Sequence, residues 1–334
     1  MRSPSPRSRS APADRPPLPG ELRRQVDHWA KLDDRHPEIR RANRATQLKL
    51  LLLHLAFVAC LAAHVSTGGH PLTSVLSVLV LGLFVLPFVR VFMHSQAHWR
   101  IGNGAIRNWL LDRTVSLLFS IPQTGYRLGH LAHHRYDNDH DPRGYPRDLQ
   151  STYLFSRDGR PCNIWVWCFF YLAVYQHAIH LLHVLNSPRR RYLLWYVGEQ
   201  LLVVGLHLAL LRFQPTFYLQ VYLPSLALAW IVAALALYMM HALPADAPVR
   251  HPTLTSLDPL LNWFGDNDGY HLEHTLFAGV HPVFLARAHQ LLAPPPQNVL
   301  HGNYVLAALP LLLRGPGERD RSGAAVTEPA AGGR

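Results

Sequence analysis

Leu72-Thr-Ser-Val-Leu-Ser-Val-Leu-Val-Leu-Gly-Leu-Phe-Val-Leu-Pro-Phe-Val-Arg-Val-Phe-Met-His94-Ser-Gln-Ala-His98 is the stretch on which the fold turns. Leu72–Met93 is apolar enough and long enough to cross a hydrocarbon core of about 30 Å as a helix. Pro87 and Arg90 sit near its exit. Two histidines follow at once, and on a continuing helix positions i and i+4 share one face. A membrane span therefore ends in a pair of imidazoles that can approach a single ion.

Four further apolar blocks flank this one. Leu50–Val65 precedes it, and Asn163–Leu185, Tyr192–Phe213 and Phe217–Met240 follow. Across the 334 residues, 49% are hydrophobic and only 16% charged, against about a quarter charged in soluble chains. Three cysteines, Cys60, Cys162 and Cys168, with no CxxC pair, exclude a disulfide framework and a thiolate zinc site. The net charge of +11 comes from 30 arginines and two lysines. Nucleic-acid binding is one reading of that charge; flanking of membrane segments on the cytoplasmic side is the other, and the apolar blocks favour it.

Residues 1–44 form a basic arm rich in Pro, Ser and Arg, disordered at its start, with a short polar helix within 21–44 suited to an anionic lipid surface. Residues 45–313 form the membrane domain, and 314–334 a disordered Gly/Ala/Arg tail. With the basic arm inside, Leu50–Val65 and Leu72–Met93 make one hairpin, and Tyr192–Phe213 with Phe217–Met240 a second. Asn163–Leu185 carries His177, His180 and His183 on one stripe and reads as interfacial or re-entrant. The expectation is an all-α integral membrane protein with about four transmembrane helices, interfacial helices, and both termini in the cytoplasm with a histidine-bearing cap.

The chain holds 22 histidines against 21 acids, and they cluster. Beyond His94 and His98 come His130-Leu-Ala-His133-His134, then His271-Leu-Glu-His274 after Asn267-Asp-Gly-Tyr. His241 closes the last span. On a helix, adjacent His133 and His134 diverge by about 100°, so they can face two different ions. His94, His98, His130, His133, His134, His241, His271 and His274 exceed what one metal accepts and suit two. Nitrogen-rich sites without thiolate accommodate iron, copper or zinc. A site beneath lipid-facing spans favours oxidative chemistry on an alkyl chain. A metal-binding transport or structural protein and a metal hydrolase are the competing classes.

These boxes, with Tyr126 and Asp141-Pro142 beside the second and Gly279-Val-His281-Pro after the third, make the chain resemble the membrane fatty acid desaturase superfamily over residues 48–292. The resemblance implies two iron ions in a non-haem diiron site. It also implies dioxygen, two electrons from a separate ferredoxin or cytochrome, and a lipid-, CoA- or carrier-linked acyl substrate. The reaction it implies is introduction of a C=C bond, with hydroxylation on the same scaffold as the alternative. Asn267, Glu273 and Asp137 would orient imidazole N–H groups, and Trp99, Trp109, Phe119 and Trp263 would line a substrate tunnel.

One position departs from the family pattern. Its third box ends His-His, whereas Thr275 follows His274 here. Either His281 supplies the missing imidazole, or one metal is more open and favours hydroxylation, or metal binding and catalysis are impaired.

Overall fold

The computed structural model describes residues 20–136, 147–152, 154, 161–241 and 253–313. The architecture is helical. In chain order the main helices are α1 (Gly20–Trp29), α2 (Pro37–Ser66), α3 (Pro71–Trp99), α4 (Ala105–Phe119), α5 (Gln123–Tyr136), α6 (Ile164–Leu185), α7 (Arg191–Phe213) and α8 (Pro215–Met240). The cap adds α9 (Pro259–Phe264), α10 (His271–Leu276), α11 (Leu285–Leu292) and α12 (Tyr304–Leu313). Its two short strands, β1 (Thr255–Ser256) and β2 (Val299–Leu300), pair in parallel, Thr255 opposite Val299.

Five helices, not four, are long and apolar enough to cross a membrane: α2, α3, α6, α7 and α8. The fifth is α6, which the histidine stripe had assigned to the interface. Length and composition place it with the spans, yet both of its ends contact elements that carry box histidines. At its start, Tyr238 donates to the Cys162 carbonyl at 2.8 Å, three residues before His241. At its end, His180 and His183 flank Gly129, the neighbour of His130.

The centre of the bundle is the α3–α8 contact. A Cβ at Gly82 would meet the Leu228 side chain at 2.8 Å, so only glycine permits this approach of the two helices. Around that contact, half of the apolar window of α8 is buried, against 22% for α2 and α7. The outer faces of α2 and α7 (Leu51, Leu55, Leu201, Leu208) are exposed leucine surface, as a lipid-facing helix requires.

The polar residues 21–44 are better ordered than a helix lying on lipid. Leu22 and Trp29 of α1 are buried against Phe277, Val280, Phe284 and Leu285, with Trp29 stacked on Phe284 at 5.4 Å. Its apolar stripe covers the cap. Pro37 opens α2 at a position where its missing N–H is not needed, and the helix starts well before the apolar block at Leu50. That extra length brings Thr46 and Lys49 to Asp266 in the turn before α10, with Lys49 Nζ at 2.6 Å.

Candidate metal centre

The first two boxes are placed by helix ends. α3 stops at Trp99, where Arg100 takes a left-handed conformation, and Gln96, within the first box, is wholly buried. Its amide donates to Asp112 at 2.9 Å and its carbonyl accepts from the Ile101 N–H at 3.0 Å. This pins the end of α3 to α4, with His94 and His98 facing inward. α5 presents His130 and His134 on one face. Gln123, at its start, donates to the Met93 carbonyl at 2.9 Å, tying the two box helices together.

The third box is delivered by a turn. Asp266 and Asn267 have φ of +55° and +63°, a region that Asn and Asp tolerate better than most residues. The turn is held by Lys49 and by Tyr304, whose hydroxyl donates to the Gly269 carbonyl at 2.8 Å. It leads into α10, which carries His271 and His274.

The eight histidines converge, in two groups. His94, His98, His130, His134 and His274 each offer a ring nitrogen within 4.8 Å of all the others, an arrangement that can hold a metal ion. Nε2 atoms lie 3.0 Å apart for His94 and His274, 3.0 Å for His130 and His134, and 2.9 Å for His134 and His274. Two nitrogens bound at about 2.1 Å and at right angles are about 3.0 Å apart, whereas tetrahedral angles put them at about 3.4 Å. The spacing therefore suits a metal with more than four ligands. The second group is His133, His241 and His271, with the His241 and His271 Nε2 atoms 3.1 Å apart and the His133 and His241 rings 4.9 Å apart. His133 and His134 do face different groups, as their angular offset on a helix demands. A small cavity beside the second group is lined by His130, His133, His241 and His271 and by Gln150, Trp167, Tyr175 and Leu237.

Two carboxylates orient the rings. His94 Nδ1 donates to Asp268 at 2.6 Å, and His133 Nδ1 to Asp148 at 2.6 Å. Each contact fixes the tautomer that leaves Nε2 with a free lone pair toward a metal. Tyr126 stacks on His130 at 5.5 Å, and Trp99 lies against His98 at 4.8 Å. Burial, reinforced by neighbouring imidazoles, holds His130, His134, His271 and His274 below the usual imidazole range, so the rings stay neutral and able to bind metal.

The other expected contributors lie elsewhere. His281 is outside both groups. Its Nε2 meets Asn43 at 3.1 Å, and its Nδ1 accepts from the Val283 N–H at 3.3 Å, so both nitrogens are spent on structure. Thr275 adds no imidazole, and its buried hydroxyl has no hydrogen-bond partner. Glu273 touches no box histidine; it accepts from His289 at 2.7 Å and from Thr255 at 2.5 Å. Asn267 donates to the Pro282 carbonyl at 3.0 Å and so braces the turn. Asp137, Asp139 and Asp141 lie outside the described residues. Trp109 and Trp263 are exposed, at 52% and 72%, and face outward rather than into a tunnel. The ring-orienting acids Asp268 and Asp148 escaped sequence reading. The signal for Asp268 was an acid inside the Asn-Asp-Gly-Tyr run; Asp148, distant in sequence from any box, carried none.

Compared with known proteins, residues 69–303 match the family model described as fatty acid desaturase. That span is more than two thirds of the chain and holds all eight histidines. Neither a curated protein nor a solved structure gave a match.

Proposed function

Because the chain belongs to the fatty acid desaturase family, we propose that it is a membrane-bound, oxygen-dependent desaturase that introduces a C=C bond into a fatty acyl chain. The observation that carries this reading is the gathering of eight imidazoles into adjoining groups of five and three, with four of them lining a small cavity. The donor sets fit two non-haem iron ions. There is no thiolate, and five nitrogens exceed a four-coordinate zinc site. His94, His98, His130, His134 and His274 would hold one ion, and His133, His241 and His271 the other. When bound and supplied with two external electrons, such a pair activates dioxygen for removal of hydrogen from an unactivated methylene.

The chain's own contribution is placement and exclusion of water. Asp268 and Asp148 hold their imidazoles in one tautomer. Trp167, Tyr175 and Leu237 give the cavity an apolar wall against which an alkyl segment packs. Electrons come from a separate ferredoxin or cytochrome in this reading. Both termini and the cap lie in the cytoplasm, α2, α3, α7 and α8 cross, and α6, an unbroken helix, lies along the interface. The contacts of both α6 ends with box-bearing elements support that path.

Thr275 supports a second outcome, hydroxylation, because the three-imidazole group is the less filled. Membranes containing the protein, given an acyl substrate, reductant and oxygen, separate the readings by mass spectrometry. Loss of two hydrogens marks desaturation and gain of one oxygen marks hydroxylation. Product formed without oxygen would overturn both.

A further inference from the structure

Arg90 lies within α3, one helical turn before His94, and is only 8% exposed. A charged side chain at that depth needs a partner or a function. One guanidinium nitrogen donates to the Tyr126 hydroxyl at 2.6 Å, and the guanidinium stacks on that ring at 4.2 Å. Its Nε–H has no partner, and among the described residues no carboxylate forms an ion pair with it. A buried arginine surrounded by the phenols of Tyr126, Tyr171 and Tyr175, with no anion among the described residues, is a costly arrangement.

The groups around it share the deficit. Both amide atoms of Gln176, the Nε2 of Gln150 and the Nε2 of His180 are buried without hydrogen-bond partners. His180 packs on Tyr126 at 5.7 Å and on Tyr175 at 5.3 Å, and it lies within electrostatic reach of Arg90. Its Nδ1 is engaged by the Gln176 carbonyl at 2.9 Å, so Nε2 faces away as an acceptor. Gly125 and Gly129 make the room: a Cβ at Gly129 would strike the Gln150 amide at 2.5 Å, and one at Gly125 would strike Tyr196 and His180. α6 is wound as a π-helix over Tyr171–Ile179, the segment facing these groups. A nine-residue π segment is rare, and such windings concentrate at functional sites. Tyr175 and Gln150 also line the small cavity beside His130, His133, His241 and His271, so the polar nest adjoins the candidate metal centre.

We infer that Arg90, Gln176, Gln150 and His180 form a subsite for the carboxyl group of an unesterified fatty acid, which presents its near-carboxyl methylenes to the histidines. A fatty acid supplies what the donors lack. Entering as the neutral acid, it passes its proton to His180 Nε2, and the carboxylate left behind accepts from the guanidinium, the amide N–H groups and the imidazolium, for which arginine's planar fork is suited. A thioester or glycerolipid ester has no proton to give and so cannot become an anion. The inference deepens the reading of the chain as an acyl-lipid oxidoreductase and narrows its substrate.

The test is binding of radiolabelled palmitate and of methyl palmitate to the purified full-length protein in nanodiscs, without oxygen or reductant. Palmitate binds the wild type at least tenfold more tightly than methyl palmitate. Arg90→Met abolishes that preference, Gln176→Leu weakens palmitate binding at least threefold, and Arg90→Lys retains part of it. Unchanged metal content in these variants separates loss of the subsite from loss of the fold, and Gln176→Leu decides the matter if Arg90→Met does not fold. Equal binding of acid and ester by the wild type overturns the inference, as does undiminished palmitate binding in Gln176→Leu and any folded Arg90→Met. If an esterified lipid is oxidised while palmitate does not bind, the subsite fails and the oxidoreductase reading stands. If palmitate binds through Arg90 but no lipid yields an oxygen-dependent product, the reverse holds.

Discussion

Asp268 and Asp148 each hold one imidazole by its Nδ1, and such partners commonly contribute 10–100-fold to metal affinity. Asp268→Asn is expected to weaken iron binding by about that factor while the fold persists, as measured by iron titration of the apoprotein. His133→Ala removes one of only three imidazoles in the second group and is expected to abolish turnover; retained product in the lipid assay would refute its role. His281 gives a pH dependence of a different origin. Burial pushes it down to about 4, so the folded protein prefers the neutral ring while the unfolded chain takes up a proton at about 6.5. The stability it contributes is present above pH 6.5 and lost as pH falls from there to about 4, by about 3 kcal/mol across the window. The thermal midpoint in detergent should therefore drop on acidification, and less steeply in His281→Gln. The eight histidines that the structure gathers into two groups were singled out in the sequence, seven of them by helical spacing and His241 by its place at the end of a span. Their orienting acids were not, since Asp148 and Asp268 reach the rings through turns whose geometry no periodicity encodes. His281 was legible as a histidine near a box but not as a structural cap, which depends on its contact with Asn43 across 238 positions.

Among the elements, α2, α3, α7 and α8 were readable from apolar length alone. α6 was ambiguous for a physical reason: it is long and apolar enough to cross, yet its histidine stripe is only partly internal. His180 is fully buried, whereas His177 is exposed and His183 half-buried. α1 shows the opposite error, with an amphipathic face covered by the cap instead of lipid. The α3–α8 contact yields a clear test. Gly82→Val places new atoms where Leu228 stands and should destabilise by about 1–3 kcal/mol, as overpacking commonly does. A lowered thermal midpoint is the readout, and an unchanged one would mean that the two helices can part without cost.

At the scale of the whole molecule, two ions per chain are expected in anaerobically purified protein, and a value far below two would remove the diiron proposal. Labelling of cysteines introduced at Ser187 or Arg190 should match that at residue 145 if α6 lies along the interface as proposed. Labelling from the opposite face would make α6 a fifth crossing.

Lys49 and Asp266 join the first long helix to the turn ahead of the third box, and this has a consequence for how the protein comes into being. His94 and His98 emerge early in synthesis, but the turn bearing Asp268 and the helix bearing His274 emerge some 170 residues later. Until then the early imidazoles have neither their carboxylate nor their remaining partners. If the histidines hold iron as proposed, acquisition of metal is a final proofreading step, open only to chains whose first and last thirds have already found each other in the bilayer.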